Sequence, residues 1–172
     1  MEHLITVEDA KTLGRPIGKV DEGKLIAYIT EAENLFIKPV LGDKLYMMLF
    51  DDEKNKGEYI KRLFDGGSYC DCCGEVHCFR GLSVTMAYFV YAQLVMSGDF
   101  DSTRYGMVIK DGEYSNRISS KERSDHYNNT LEVANAYLRE CVAYCRSVGL
   151  IKCTNTTAKA AMGGIVIRKI GS

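Results

Sequence analysis

The sequence predicts a mostly α-helical domain of five or six helices around a central apolar helix, with a β-hairpin arm and a C-terminal β strip. Three observations predict it. Residues 81–98, GLSVTMAYFVYAQLVMSG, form the longest stretch without a charge, and a helix apolar on nearly all sides is either a buried axis or a membrane span. The stretch is short for a span, and Ser83, Thr85, Tyr88, Tyr91 and Gln93 lie mid-segment, where hydrocarbon tolerates polar groups least, so it reads as the axis of the core. Tyr127, Leu131, Ala134, Leu138, Cys141, Cys145 and Val148 recur at alternating steps of four and three, one continuous helical seam. Asp111-Gly112 separates two short β-prone runs within 103–115, the strongest local hairpin signal.

The elements follow in chain order. Thr6 caps a short first helix whose Glu8 and Asp9 favour the positive end of the dipole, and Gly14-Arg15-Pro16 stops it. A second helix spans about 21–37 on Leu25, Ile29, Ala32 and Phe36, with Ile26 and Leu35 beside the stripe. Lys38-Pro39 and then Leu41-Gly42 break it, because the Pro39 ring disfavours a helical residue before it. A third helix, GDKLYMMLF, ends in the charged run 51–58, and a fourth carries Tyr59, Ile60, Leu63 and Phe64. Asp65-Gly66-Gly67-Ser68 is a turn cluster, and a compact loop from Tyr69 to Cys78 leads into the apolar helix. Ser119 and Glu122 have capping-box spacing, so the long helix runs from about Ser120 to Val148, and Gly149 ends it. Residues 154–164 are small and polar and read as a linker to the β-prone strip Gly164–Ile170. The organisation is a helical domain over 1–150, with the arm at about 103–115, and a tail over 151–172.

The totals narrow the function classes. With 22 basic against 23 acidic residues, the basic excess of a nucleic-acid-coating protein is missing. The N-terminal MEHLITVEDAK has no basic n-region followed by an apolar run, which predicts a reducing compartment in which seven cysteines stay thiols or metal ligands. The beginnings of chemistry lie in Tyr69-Cys70-Asp71-Cys72-Cys73-Gly74-Glu75-Val76-His77-Cys78, where Cys70 and Cys73 have C-x-x-C spacing and His77 or Cys78 offers a third ligand. A structural zinc site takes four ligands, usually from two half-sites. No second half-site appears, so an incidental cysteine-rich loop is favoured and a small zinc-binding interaction module on Cys70, Cys73 and Cys78 is the alternative. A thioredoxin-like role lacks its strand and helix context. Cys141 and Cys145 lie on the apolar seam and read as core. The Ser124-Asp125-His126 string runs along one helix and points its side chains apart, which is not a triad. Gly163-Gly164 lacks the lysine and helix of a phosphate loop. No convergent nucleophile, base and oxyanion set is legible, so the expectation is a protein that is not an enzyme, with no cofactor, metal or small-molecule substrate.

The order of short motifs resembles a known group. Ile29-Thr-Glu-Ala-Glu33 through Ile37-Lys-Pro-Val-Leu-Gly42-Asp-Lys-Leu-Tyr46, Gly66-Gly67-Ser-Tyr69, Gly81-Leu82 with Ala87-Tyr88-Phe-Val-Tyr91-Ala92, Thr103-Arg-Tyr-Gly106 and the closing Ile170-Gly171 look like an uncharacterised family from gut Bacteroidetes and their prophages. That family is similar in layout to the head–tail connector (adaptor) proteins of tailed phages, small helical proteins that form a ring beneath the portal and project an arm into neighbours. The resemblance implies a structural role in the virion neck, with other copies of the chain and phage portal or neck proteins as partners. It also implies assembly in the cytoplasm, without a membrane or sequence-specific nucleic acid. Exposure logic then selects Arg104, Tyr105, Val108 and Lys110 of the arm and Ile165, Ile167 and Arg168 of the tail as contact residues, because an exposed β-prone apolar strip marks an interaction site. A strand needs a partner, either the hairpin of its own chain or a neighbouring copy.

Overall fold

The computed structural model describes residues 3–18, 20–51, 57–97, 100–103, 106–109 and 119–151. It is mostly helical, with two small antiparallel two-stranded sheets. Thr6 caps α1 (Val7–Thr12) through a complete capping box: its hydroxyl accepts the Asp9 amide at 3.1 Å and Asp9 accepts the Thr6 amide at 2.9 Å. Asp21 caps α2 (Glu22–Ala32) in the same sense, accepting from the Lys24 amide.

The expected break at Lys38-Pro39 does not occur. A π-helical turn, Glu33–Ile37, follows α2 directly, and α3 (Lys38–Leu41) follows the turn. The Lys38 amide donates to Glu33 O, five residues back. This slips the hydrogen-bond register, so Pro39 falls in the first turn of a new segment, where its missing N–H leaves nothing unpaired. Gly42, at φ 77°, makes the actual turn into α4 (Asp43–Met48). The next helix, α5 (Glu58–Asp65), buries Ile60 and Leu63.

The expected loop from Tyr69 to Cys78 is a β-hairpin. β1 (Gly67–Cys70) pairs antiparallel with β2 (Val76–Phe79), with Gly67 opposite Phe79 and Cys70 opposite Val76. Two glycines clamp its neck. Gly66 and Gly81 both have positive φ, and a Cβ on Gly81 would lie 2.5 Å from Gly66 N and 2.6 Å from Phe64 O. The chain therefore leaves and re-enters the helical body at one point.

The apolar helix is α6 (Leu82–Ser97), and no helix among the described residues is long and apolar enough to cross a membrane. It packs against α1, α2, α5, the π turn and the long helix α7 (Ser120–Ser147). Leu82, Met86, Phe89 and Val90 are fully buried, each contributing about 1.5–3 kcal/mol relative to exposure. Phe36 stacks on Phe89 with centroids 4.3 Å apart, and Tyr88 meets Tyr137 edge-on at 5.4 Å. Two of the mid-segment polar groups are hydrogen-bonded within the fold: Thr85 donates to Gly81 O at 2.8 Å, and Ser83 donates to Phe64 O at 3.0 Å. α7 starts on the Ser119–Glu122 capping box and ends in a Schellman motif, in which Leu150 N–H bonds Cys145 O and Gly149 N–H bonds Arg146 O. Its buried face holds Ala134, Leu138, Cys141 and Cys145 from the expected seam, and also Thr130 and Tyr144.

A second hairpin pairs β3 (Phe100–Thr103) with β4 (Gly106–Ile109), Phe100 opposite Ile109 and Thr103 opposite Gly106. Thr103 and Gly106, which the sequence reading places in one run, pair with each other across the ladder. The Asp111-Gly112 turn and the tail strip 164–170 lie outside the described residues.

Candidate assembly surface

Most of the expected contact residues, Arg104, Tyr105, Lys110, Ile165, Ile167 and Arg168, lie outside the described residues. Val108 lies on β4, opposite Asp101. The β3–β4 sheet has two strands, and neither outer edge pairs with a further strand among the described residues. Exposed apolar side chains occur on the helices as well: Leu35 is 60% exposed and Met47 63%.

The first hairpin was not legible as one, and it carries the densest chemistry. Its register separates two faces. Tyr69, His77 and Phe79 lie toward α7, where Tyr69 and Phe79 bracket Tyr144 with centroids 5.4 and 4.6 Å away. Ser68, Cys70, Val76 and Cys78 share the opposite face of the ladder, where Val76 is 69% exposed and Cys78 reaches the rim of the groove beside α7. Cys72 and Cys73 sit in the connecting turn with their sulfurs 4.0 Å apart.

Asp71 builds that turn. Its Oδ1 accepts the amides of Cys73 and Glu75, each at 2.9 Å, while its own amide donates to Glu75 O and Gly74 N–H donates to Asp71 O. Its Oδ2 lies 3.2 Å from His77 Nε2. The His77 contact and the backbone amides hold its carboxyl below the usual carboxylate range. The His77 ring stacks on Tyr69 at 5.3 Å and 28°. Asp71, Glu75 and His77 are the described side chains whose ligand atoms converge, all within 4.8 Å of one another. Cys70, Cys73 and Cys78 are not brought together, because the register puts Cys70 and Cys78 diagonally on the opposite face with Cys73 beyond them in the turn. The signal that marks this hairpin is Asp71 three residues before Gly74, with Tyr69 and Phe79 placed to face one way.

Between the hairpin and α7 lies an open groove of about 460 Å³, lined by Tyr69, His77, Cys78, Ala136, Arg139 and Glu140 among others. Elsewhere Arg15 ties the N-terminal segment to α7, donating to Asn129 Oδ1 at 2.7 Å and Thr130 Oγ1 at 3.1 Å, with His126 Nδ1 at 3.2 Å. His126 therefore belongs to this clamp and not to the Ser124-Asp125 string beside it.

A protein-family model described as "Family of unknown function (DUF6712)" matches residues 37–149. The matched stretch begins at the end of the π turn and closes at the glycine cap of α7, so it includes both hairpins and α6. No curated protein and no solved structure matches the chain.

Proposed function

This chain belongs to the family of unknown function DUF6712, and we propose that it is a structural assembly protein of the head–tail connector type. In this reading a helical body built around α6 carries the β3–β4 hairpin as its arm and residues 164–170 as a strand-forming tail. The observation that carries it is the unpaired state of the arm among the described residues: β3–β4 is a two-stranded sheet with both outer edges open. An isolated two-stranded hairpin is marginally stable in water, and open edges accept a strand from another chain. The tail of a neighbouring copy is the strand proposed here. Arg104, Tyr105, Val108 and Lys110 would line one side of that contact and Ile165, Ile167 and Arg168 the other. The exposed Leu35 and Met47 add apolar area for a subunit contact. The role is non-enzymatic, the partners are copies of this chain and a phage portal or neck protein, and the site of action is the virion neck.

The test is co-expression with a tailed-phage portal protein, followed by native mass spectrometry and negative-stain electron microscopy. Full-length chain should enter a closed ring on the portal, and a chain lacking residues 164–172 should stay folded by circular dichroism but lose the ring. A full-length protein that remains monomeric and portal-free overturns the reading. Loss of the fold on truncation overturns the role given to the tail.

A further inference from the structure

The turn of the β1–β2 hairpin holds two groups in the relative position that a small cation demands. Asp71 Oδ1 is occupied by the Cys73 and Glu75 amides, which orients Oδ2 toward His77 Nε2 at 3.2 Å. Zinc bonds of about 2.0–2.1 Å arranged tetrahedrally place neighbouring ligand atoms about 3.4 Å apart. The Asp71–His77 spacing already lies near that value. The His77 ring stacks on Tyr69, and the backbone amides on Asp71 Oδ1 are outer partners of the kind that orient metal ligands in built sites. Glu75 brings a second carboxylate, and the three ligand atoms fall within 4.8 Å of one another. His77 also lines the open groove against α7, which leaves room for a hydrated ion.

We propose that this turn binds one divalent transition-metal ion of the zinc class through Asp71, Glu75 and His77, with water completing the coordination. An imidazole with two carboxylates favours zinc, cobalt or manganese over magnesium and calcium, which take oxygen ligands alone. The ion takes the place of the direct Asp71–His77 contact and ties the turn to β2. The ligand set differs from the C-x-x-C spacing: the cysteines frame the turn, and the acids and the histidine between them take the ion. This role is independent of the connector reading.

The test uses the reduced full chain titrated with Zn²⁺ by calorimetry and with Co²⁺ by absorption. One ion per chain is expected, with a cobalt spectrum of the nitrogen–oxygen type lacking thiolate charge-transfer bands. His77→Ala and Asp71→Asn should weaken binding by about 100-fold, at or above what losing a supporting partner costs a metal site. Asp71→Asn keeps an oxygen for the Cys73 and Glu75 amides, so the turn survives, and Glu75→Gln provides a second variant that leaves the backbone contacts intact. The combined Cys70, Cys72, Cys73 and Cys78→Ser variant should bind as the parent does. Absence of binding at tens of micromolar metal, undiminished binding in His77→Ala, or thiolate bands that vanish in the serine variant would each overturn the proposal.

Discussion

Six described cysteines divide into two chemical populations. Cys70, Cys72, Cys73 and Cys78 are exposed, whereas Cys141 and Cys145 are buried on α7. Burial pushes the Cys141 thiol up to about 11 and the Cys145 thiol up to about 12, so neither presents a thiolate near neutral pH. In a Cys153→Ser background, a disulfide-exchange reagent at pH 8 should consume four thiols in a fast phase. The last two should react only as fast as the fold opens, and six fast thiols would refute the assignment. The buried pair was legible from its place on the helical seam. Glu33 was not. In sequence it is one more acid on a helix, yet it is 4% exposed and accepts the Leu4 amide at 2.7 Å, with His3 Nδ1 at 3.2 Å. Its partners lie 29 and 30 residues away, beyond the reach of any local pattern. Glu33→Ala strands the buried Leu4 amide and should cost about 1–3 kcal/mol in urea unfolding. Glu33→Gln, which keeps an acceptor oxygen, should cost less than half as much.

At the scale of elements, the sequence signals succeed where structure is local. α7 begins on the Ser119–Glu122 box and ends at Gly149 because caps are decided within a few residues. Tyr144 and Thr130 escape the seam because the face α7 buries, under β2 and α6, is wider than a strict four–three stripe. The hairpin β1–β2 escapes because four-residue strands of Gly-Ser-Tyr-Cys and Val-His-Cys-Phe carry little alternation. What stabilises them is Tyr144, 65 residues beyond Phe79 along the chain. Pro39 misleads because Lys38 keeps helical dihedrals, φ −55° and ψ −44°, despite the preference against them, and the slipped register puts Pro39 in a first turn. Two glycines at positive φ then separate conformational cost from steric cost. Gly149 has no neighbour within 4 Å of an added Cβ, whereas Gly81 would meet backbone atoms at 2.5–2.6 Å. Gly149→Ala should lower stability by about 1 kcal/mol. Gly81→Ala should lower it by about 3 kcal/mol or more, since strain and overpacking add. Equal losses in paired denaturant melts would show that the neck yields more readily than its contacts imply.

For the whole molecule, the central axis was readable because an uncharged 18-residue stretch has few places to go in a helical fold other than its core. The partners of the hairpins were not readable, because strand pairing is a property of distant segments or of other chains. The helical body itself comes together through α6, which touches both the N-terminal helices α1 and α2 and the long helix α7. The Gly66–Gly81 contact gives that body a further property. Because the chain departs and returns through one pair of touching backbones, α5 meets α6 directly, and the 14 residues from Gly67 to Arg80 form a side branch instead of a span in the main path. Closing a longer branch costs only a slowly growing entropy. Residues added at the tip of this branch would therefore lengthen a closed loop and leave the α5–α6 contact beneath it in place.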